Sequence, residues 1–128
     1  MSPLSALSHS APTGPLGTLH IYDIRHPGAH RALRILATAA LAKREIRLAD
    51  GYKHGETNLT PEFRAKWPTG QVPAFETTGG EFISEGSAIA LYIALSAPEA
   101  GLLGEGIVGQ AQVAQWQGFV DFSILNNL

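Results

Sequence analysis

The sequence has 128 residues, with 45% apolar and 16% charged side chains and a formal net charge of −2. A chain of this size and balance suits one domain with a hydrophobic core, and it lacks the excess of positive charge that a nucleic-acid surface requires. It contains no cysteine, which excludes a disulfide framework, a Cys-x-x-Cys redox pair and a cysteine nucleophile. Any thiol chemistry must therefore use a thiol that a ligand supplies.

The N-terminal segment, residues 1–17, is rich in Ser, Pro, Ala and Gly and contains neither Lys nor Arg. This composition predicts a flexible leader rather than a secretory signal or an arginine-rich transit peptide. No apolar run approaches the roughly 20 residues that cross a bilayer. We therefore expect a cytoplasmic protein without a membrane partner.

The first half of the chain predicts a β-α-β unit. Residues 18–23 alternate as in a strand, with Leu19 and Ile21 on one face and His20 and Tyr22 on the other. A helix is predicted from Ala29, with helical spacing of Leu33, Leu36, Ala37, Ala40 and Leu41. Residues 45–48 form a second strand, which completes a right-handed unit with the first.

The second half predicts a hairpin followed by helices. Thr60 and Pro61 are typical of a helix start, and Thr-Thr-Gly-Gly at residues 77–80 separates strands at 72–76 and 81–83. A helix over 85–96, a connector at 99–104 and a helix from 107 onward follow. This order predicts an α/β, thioredoxin-like domain with a mixed sheet over residues 18–98, and a further helical segment over 105–128.

The final helix carries two apolar stripes, so it needs partners on both sides. One stripe runs through Ile107, Ala111, Ala114, Gly118, Phe122 and Leu125. The other runs through Val113, Trp116, Val120 and Ile124.

Pro73 has a defined place in such a hairpin. Proline has no N–H for a ladder, so Pro73 is expected to open the strand at Ala74. We predict that the Val72–Pro73 bond is cis, which would aim the Val72 N–H and C=O out of the sheet, where an extended peptide could pair with them. An ordinary trans turn is the alternative, since only about one X–Pro bond in twenty is cis.

The start of the helix after the hairpin is a second candidate for ligand binding. Ser84 is a predicted N-cap, Glu85 is expected in the first turn, and the free N–H groups of Gly86 and Ser87 suit a carboxylate. Glu85 in turn suits an ammonium. Ordinary capping explains a Ser-Glu pair equally well, but together with Val72 these groups match both ends of a small peptide.

Four segments carry a resemblance to a known family: residues 57–63, 66–76, 88–92 and 112–121. From about residue 17 onward the chain resembles the glutathione-transferase superfamily, and within it the transferase-like domains of eukaryotic elongation factor 1 gamma subunits. Val-Pro-Ala-Phe at 72–75 is common to many transferases, whereas Asn-x-Thr-Pro-Glu-Phe at 58–63 is narrower. The resemblance implies that residues 105–128 begin an all-helical second domain.

The resemblance also implies a glutathione site without a tightly bound cofactor. Glutathione, as substrate or ligand, would contact Gln71, Val72, Pro73, Glu85, Gly86 and Ser87. Most of the superfamily has a serine where this chain has Gly86. The binding of glutathione is therefore expected to be weak unless Ser87 or a water replaces that hydroxyl, and Gly86→Ser is expected to tighten it.

Catalysis in the family uses a donor near the end of the first strand that stabilises the glutathione thiolate. Tyr22 and Arg25 are the candidates here, with His26 beside them; Tyr22 also fits a simple packing role. His26 and His30 cannot share a regular helix face across Pro27, so no metal site is predicted.

Two functions follow from the resemblance. The first is an assembly module of the elongation factor that anchors its nucleotide-exchange subunits, with a homodimer mate or those subunits as partners. The second is an active transferase that joins glutathione or a related thiol to an electrophile. Gly86 and the two-faced final helix favour assembly, whereas Gln71, Val72, Pro73 and Glu85 favour retained ligand binding.

Overall fold

The computed structural model of the chain describes residues 13–127, which form a four-stranded sheet with helices on both of its faces. The strands are β1 (Gly17–His20), β2 (Arg47–Leu48), β3 (Ala74–Thr77) and β4 (Phe82–Ser84). The α-helices are α1 (Leu33–Ala42), α2 (Pro61–Lys66), α3 (Gly86–Leu95) and α4 (Gly106–Phe119). Short 3₁₀ turns occur at Pro27–Ala32, Thr57–Leu59, Pro98–Ala100 and Leu125–Asn127, and a π-helical turn at Val120–Ile124.

The sheet has the strand order β2-β1-β3-β4. β1 pairs in parallel with β2 and antiparallel with β3, and β3 pairs antiparallel with β4. This mixed sheet confirms the predicted thioredoxin-like α/β fold. Most of the predicted leader, residues 1–12, lies outside the described residues, but Leu16 is 6% exposed and belongs to the core. The folded domain therefore includes residues before the predicted boundary at 17.

The main core lies between the sheet and the pair α1 and α3. Its largest fully buried side chains are Leu19, Ile35, Phe75, Ile89 and Ile93. On α1, Ala39 and Ala42 complete the buried face, whereas Leu33 and Leu41 of the predicted stripe are 57% and 67% exposed. Leu36 of the predicted stripe packs against the core, but Leu33 and Leu41 do not, because α1 is apolar on more than one side and its alanine-bearing side packs closely against α3.

The other face of the sheet carries a second cluster around α2. Phe63 of α2 and Trp67, the residue that follows this helix, pack with Val72 and Ala74. The Trp67 indole N–H donates to the Ile83 carbonyl at 3.1 Å. The predicted start of α2 is confirmed, since the Thr60 hydroxyl accepts from the Phe63 N–H and Pro61 is the first helical residue. The cluster thus fixes the segment that leads into β3.

Asn58 anchors the loop before Val72 through hydrogen bonds of its buried side chain. Its buried side chain donates from Nδ2 to the Gly70 carbonyl at 3.0 Å and accepts at Oδ1 from the Gly55 N–H at 2.6 Å. Gly70 has φ 63, which favours glycine. The loop that carries Gln71 and Val72 is therefore tied at Gly70 to a buried side chain.

The C-terminal segment is less embedded than the rest. α4 has no buried residue, and Ile107, Trp116 and Phe122 are exposed. The side of α4 that faces α3 contains Val113, Ala114 and Gly118, which come from both predicted stripes. The helix also changes to a π-helical turn at Val120, which shifts the later residues out of the predicted spacing. None of the helices in residues 13–127 is long and apolar enough to span a membrane.

The sheet buries one ionisable ring on its α2 side. His20 packs beside Trp67 and Phe63, with ring centroids 5.0 and 5.8 Å away. Burial lowers the pKa of His20, with the Glu76 charge opposing and the Lys66 charge adding to the effect. The neutral ring is therefore the form that the folded domain prefers.

We predict that His20 makes the stability of the domain sensitive to acid. The contribution of neutral His20 to the unfolding free energy is complete above the unfolded pKa of about 6.5. It is lost as the pH falls below that value, because the unfolded chain then binds the proton more readily than the folded domain does. Urea denaturation between about pH 7.5 and about pH 5.5 is expected to give a steeper loss of unfolding free energy for the wild type than for His20→Asn. Equal slopes for the two proteins would contradict this assignment.

Candidate functional site

A cavity of about 800 Å³ opens where the loop before β3 meets the start of α3. Its opposite wall comes from α1 and from the turns after α4. The six residues predicted to bind glutathione all line it, namely Gln71, Val72, Pro73, Glu85, Gly86 and Ser87. Tyr22 also lines the cavity, whereas Arg25 and His26 are not among its lining residues.

Val72 offers its backbone to this cavity. The Val72–Pro73 peptide bond is cis, and the Val72 side chain is buried in the cluster around α2. Within the described part of the chain, neither the N–H nor the C=O of Val72 forms a hydrogen bond. These two groups are therefore free to pair with the main chain of an extended peptide, as a strand edge does.

The start of α3 differs from the prediction. Ser84 is not the N-cap, because it is the last residue of β4 and pairs with Ala74. Glu85 holds the N-cap position with φ 72 and ψ 124, and Gly86 is the first helical residue. A strand that enters a helix directly needs one residue with this unusual backbone to change direction. The carboxylate of Glu85 therefore lies just before the helix, beside the free N–H groups of its first turn.

Two arginines and an aspartate complete the cavity, and none of them was among the predicted site residues. Arg31 and Arg34 come from the turn before α1 and from α1 itself, and Asp121 comes from the turn after α4. Arg34 Nη2 lies 2.5 Å from Asp121 Oδ1, and Arg34 Nη1 lies 3.2 Å from Gln117 Oε1. The cavity thus holds two cations and two carboxylates, the second being Glu85.

Tyr22 takes part in a hydrogen-bonded chain. His54 Nε2 lies 3.2 Å from the Tyr22 hydroxyl, and His54 Nδ1 lies 2.9 Å from the Tyr52 hydroxyl. Burial raises the pKa of Tyr52 to about 12, so this hydroxyl stays protonated near neutral pH. When Tyr52 donates to Nδ1, Nε2 carries the ring proton and donates to Tyr22. The Tyr22 O–H is then available as a donor to a ligand.

Arg25 lies outside this arrangement. Its guanidinium is bonded to both oxygens of Asp23, at 3.0 Å from Nε and 2.9 Å from Nη2. The pair is exposed, and the guanidinium holds the pKa of Asp23 well below its usual range. His26 stacks on the Tyr22 ring with centroids 4.3 Å apart, so it supports Tyr22 from behind. Tyr22 is therefore the candidate donor that the cavity contains.

A second, apolar groove separates α3 from α4. It has a volume of about 680 Å³, and its walls include Leu91 and Leu95 of α3 and Val113 of α4. Leu91 and Leu95 are about half exposed. Residues 13–127 contain no group of three His, Asp or Glu side chains that could hold a metal ion.

The family model of the glutathione S-transferase N-terminal domain matches residues 17–95. The chain belongs to this family. The matched range includes all six residues that were predicted to bind glutathione.

Individual relatives of this transferase-family chain carry two kinds of name. An elongation factor 1-gamma of Drosophila melanogaster is 40% identical over 85% of this chain and 24% of its own length. A glutathione S-transferase-like protein of a Fusarium species is 46% identical over 71% of this chain and 42% of its own length. The chain thus spans between a quarter and a half of these two relatives.

A solved structure shares the fold. The glutathione transferase homologue from Sulfitobacter, crystallised with bound glutathione, superposes with a TM-score of 0.69 at 20% identity. The match covers 84% of this chain and 49% of that one. At this identity the likeness supports the fold alone.

We predict that the backbone conformation of Glu85 is strained and lowers the stability of the domain. A residue with a side chain is unfavourable at φ 72 and ψ 124, whereas glycine is not. Urea denaturation is expected to show Glu85→Gly more stable than Glu85→Ala by about 1 kcal/mol. The control is Glu62 in α2, where the order is expected to reverse because glycine weakens a helix by about 1 kcal/mol relative to alanine. If the alanine variant is more stable than the glycine variant at both positions, the backbone of Glu85 is not strained.

Proposed function

We propose that the chain is the transferase-like domain of an elongation factor 1 gamma subunit, which acts as an assembly scaffold in translation elongation and retains residual glutathione binding. The observation that carries the proposal is a peptide-sized cavity beside a helix whose large apolar side chains are exposed. The first feature suits a small peptide ligand. The second suits a protein partner.

Glutathione is the ligand that the cavity supports best. The free backbone groups of Val72 suit the peptide part of glutathione, and Glu85 suits its ammonium group. The N–H groups at the start of α3 suit its α-carboxylate. The Sulfitobacter homologue, which shares the fold, was crystallised with glutathione.

The scaffold role rests on the exposed apolar surface and on the relative in Drosophila melanogaster. Trp116 and Phe119 of α4 are 59% and 47% exposed, and their rings pack edge-to-face on each other. Aromatic side chains in such a position are typical of protein interfaces. The partners would be the nucleotide-exchange subunits of the factor or a second copy of the chain, and the location would be cytoplasmic.

An active transferase is the second candidate, and one observation favours it. Tyr22 lines the cavity with a hydroxyl that His54 and Tyr52 can orient as a donor. A donor in this place would stabilise the thiolate of a bound glutathione. The transferase-like protein of Fusarium is also 46% identical to the chain over its matched part.

Binding and turnover of glutathione distinguish the two candidates. If the scaffold role is correct, the wild type binds glutathione in an NMR titration but conjugates a generic aromatic electrophile no faster than the uncatalysed reaction. Glu85→Gln is expected to weaken the binding by about tenfold, since it removes the charge that faces the ammonium, while exposed Glu45→Gln leaves it unchanged. Rapid turnover that Tyr22→Phe abolishes and Tyr92→Phe does not would favour the enzyme instead.

Association with the exchange subunits tests the scaffold role directly. Sedimentation of the chain with purified nucleotide-exchange subunits of elongation factor 1 is expected to give a complex. Trp116→Glu, on the exposed surface of α4, is expected to weaken it by about tenfold or more, because a carboxylate there would be desolvated in the complex. Leu59→Glu is the matched control, since Leu59 is similarly exposed on the other side of the sheet. Failure of the wild type to form the complex would contradict the scaffold role.

A further inference from the structure

Gly86 leaves a space that Arg34 fills. A Cβ atom built on Gly86 would lie 2.8 Å from Arg34 Nη2 and 3.0 Å from Arg34 Nε, which is too close for a side chain to coexist with the guanidinium in its present position. Arg34 comes from α1 and Gly86 from α3, so the two residues meet across the packed helices at the rim of the cavity. The absence of a side chain at 86 is therefore coupled to the presence of the arginine.

Arg34 meets Gly86 at the start of α3, where the helix is positively polarised. The first turn of α3 presents free N–H groups and the positive end of the helix dipole, and Arg34 adds a full cation beside them. Asp121 is the one carboxylate paired with that cation among the described residues. Arg34 Nε is buried and has no hydrogen-bond partner within residues 13–127. The arrangement can therefore accept a further anion.

The guanidinium of Arg34 has N–H donors left for a further anion. A guanidinium carries five N–H groups, and the structure uses one of them in a hydrogen bond to Gln117, while Asp121 forms an ion pair at Nη2. The Arg34 side chain is 21% exposed, at the wall of the cavity. A planar guanidinium also matches a carboxylate better than a hydroxyl does, because it can donate two parallel hydrogen bonds.

We propose that Arg34 is the carboxylate-binding residue of this cavity and takes over the role that a hydroxyl at position 86 would have. The ligand is a γ-glutamyl peptide with a free α-carboxylate, which contacts the cavity side of the guanidinium and the N–H groups of the first turn of α3, with its ammonium at Glu85. Asp121 holds Arg34 in place while the cavity is empty. This inference rests on the proposed glutathione binding and names the group that selects the ligand.

A purely structural role for Arg34 has a different signature. If the arginine only tethers α1 to the segment after α4, its removal would affect every ligand of the cavity alike. If it binds the α-carboxylate, its removal would affect only ligands that carry this group. Two peptides separate the cases: glutathione, and the analogue in which 4-aminobutyrate replaces the γ-glutamyl residue, which keeps the amine and lacks the α-carboxylate.

NMR titration of the wild type, Arg34→Ala and Arg34→Lys with both peptides tests the proposal. Arg34→Ala is expected to weaken the binding of glutathione by roughly tenfold to a hundredfold, as the loss of hydrogen bonds to a charged group implies, and to leave the analogue unchanged. Arg34→Lys is expected to restore part of the affinity, because it keeps the charge and loses the planar fork. Arg47→Ala, at an exposed position in β2, is the matched control for loss of charge.

Gly86→Ser adds a test that a tether would not pass. In the wild type the serine must displace the guanidinium, so the variant is expected to bind glutathione no better than the wild type, in contrast to the tightening that the sequence predicts. In Arg34→Ala the space is open, and Gly86→Ser is expected to recover about tenfold in affinity through the new hydroxyl. The two substitutions are thus expected to be strongly non-additive.

The outcomes separate this inference from the proposed function. If the wild type does not bind glutathione, both fail. If it binds glutathione but Arg34→Ala weakens glutathione and the analogue equally, or weakens neither, the carboxylate role of Arg34 is wrong and glutathione binding stands. Thermal unfolding of each variant is measured alongside, and a folded Arg34→Lys keeps the comparison valid if Arg34→Ala loses its structure.

Discussion

The antiparallel pairing of β1 with β3 is the constraint on which the cavity depends. Leu19 lies opposite Phe75 and His20 opposite Ala74, and both Leu19 and Phe75 are fully buried. Tyr22 and Val72 lie just beyond the pair of His20 and Ala74, and both line the cavity. A slip of one residue would turn the buried side chains to the other face of the sheet. The hydrophobic core therefore decides which hydroxyl and which peptide backbone meet in the cavity.

Both faces of the sheet take part in positioning this backbone. On one face, α1 and α3 pack on Phe75 and aim the start of α3 at the cavity. On the other, Phe63 and Trp67 bury the Val72 side chain, so the main chain of Val72 stays exposed to a ligand. A mutation in the cluster around α2 can thus change ligand binding without touching the ligand. The position of the Val72 main chain therefore depends on the hydrophobic clusters on both faces of the sheet, not on its loop alone.

The sequence was informative where a local signal decides the structure. Pro61 after Thr60 marks the start of α2, and Thr-Thr-Gly-Gly marks the hairpin, because turn and cap chemistry depends on neighbouring residues alone. It failed where two faces compete. Leu33 and Leu41 are more apolar than Ala39 and Ala42, yet the alanines are buried, because close approach of α3 favours small side chains. Periodicity cannot foresee which apolar side another helix will cover.

The cationic half of the cavity was missed for a related reason, although the sequence did contain a signal. Arg34 is the only charged residue of α1, and Asp121 is the only charged residue after Glu105. Two solitary charges on otherwise uncharged segments are expensive to leave unpaired near a core, so each predicts a partner of the opposite sign. The sequence does not show that Arg34 and Asp121 pair with each other, since 86 residues separate them in the chain.

The ion pair between Arg34 and Asp121 also holds the C-terminal segment against the cavity. α4 buries none of its residues, so its contribution to the cavity wall depends on polar contacts such as Arg34 to Asp121 and to Gln117 more than on a core. A ligand carboxylate at Arg34 would share this guanidinium with Asp121. Because five donors can serve both anions, the carboxylate need not displace Asp121, and the wall can stay in place while the ligand binds. The same arginine can thus hold the C-terminal segment and discriminate among ligands, which a hydroxyl at position 86 could not do.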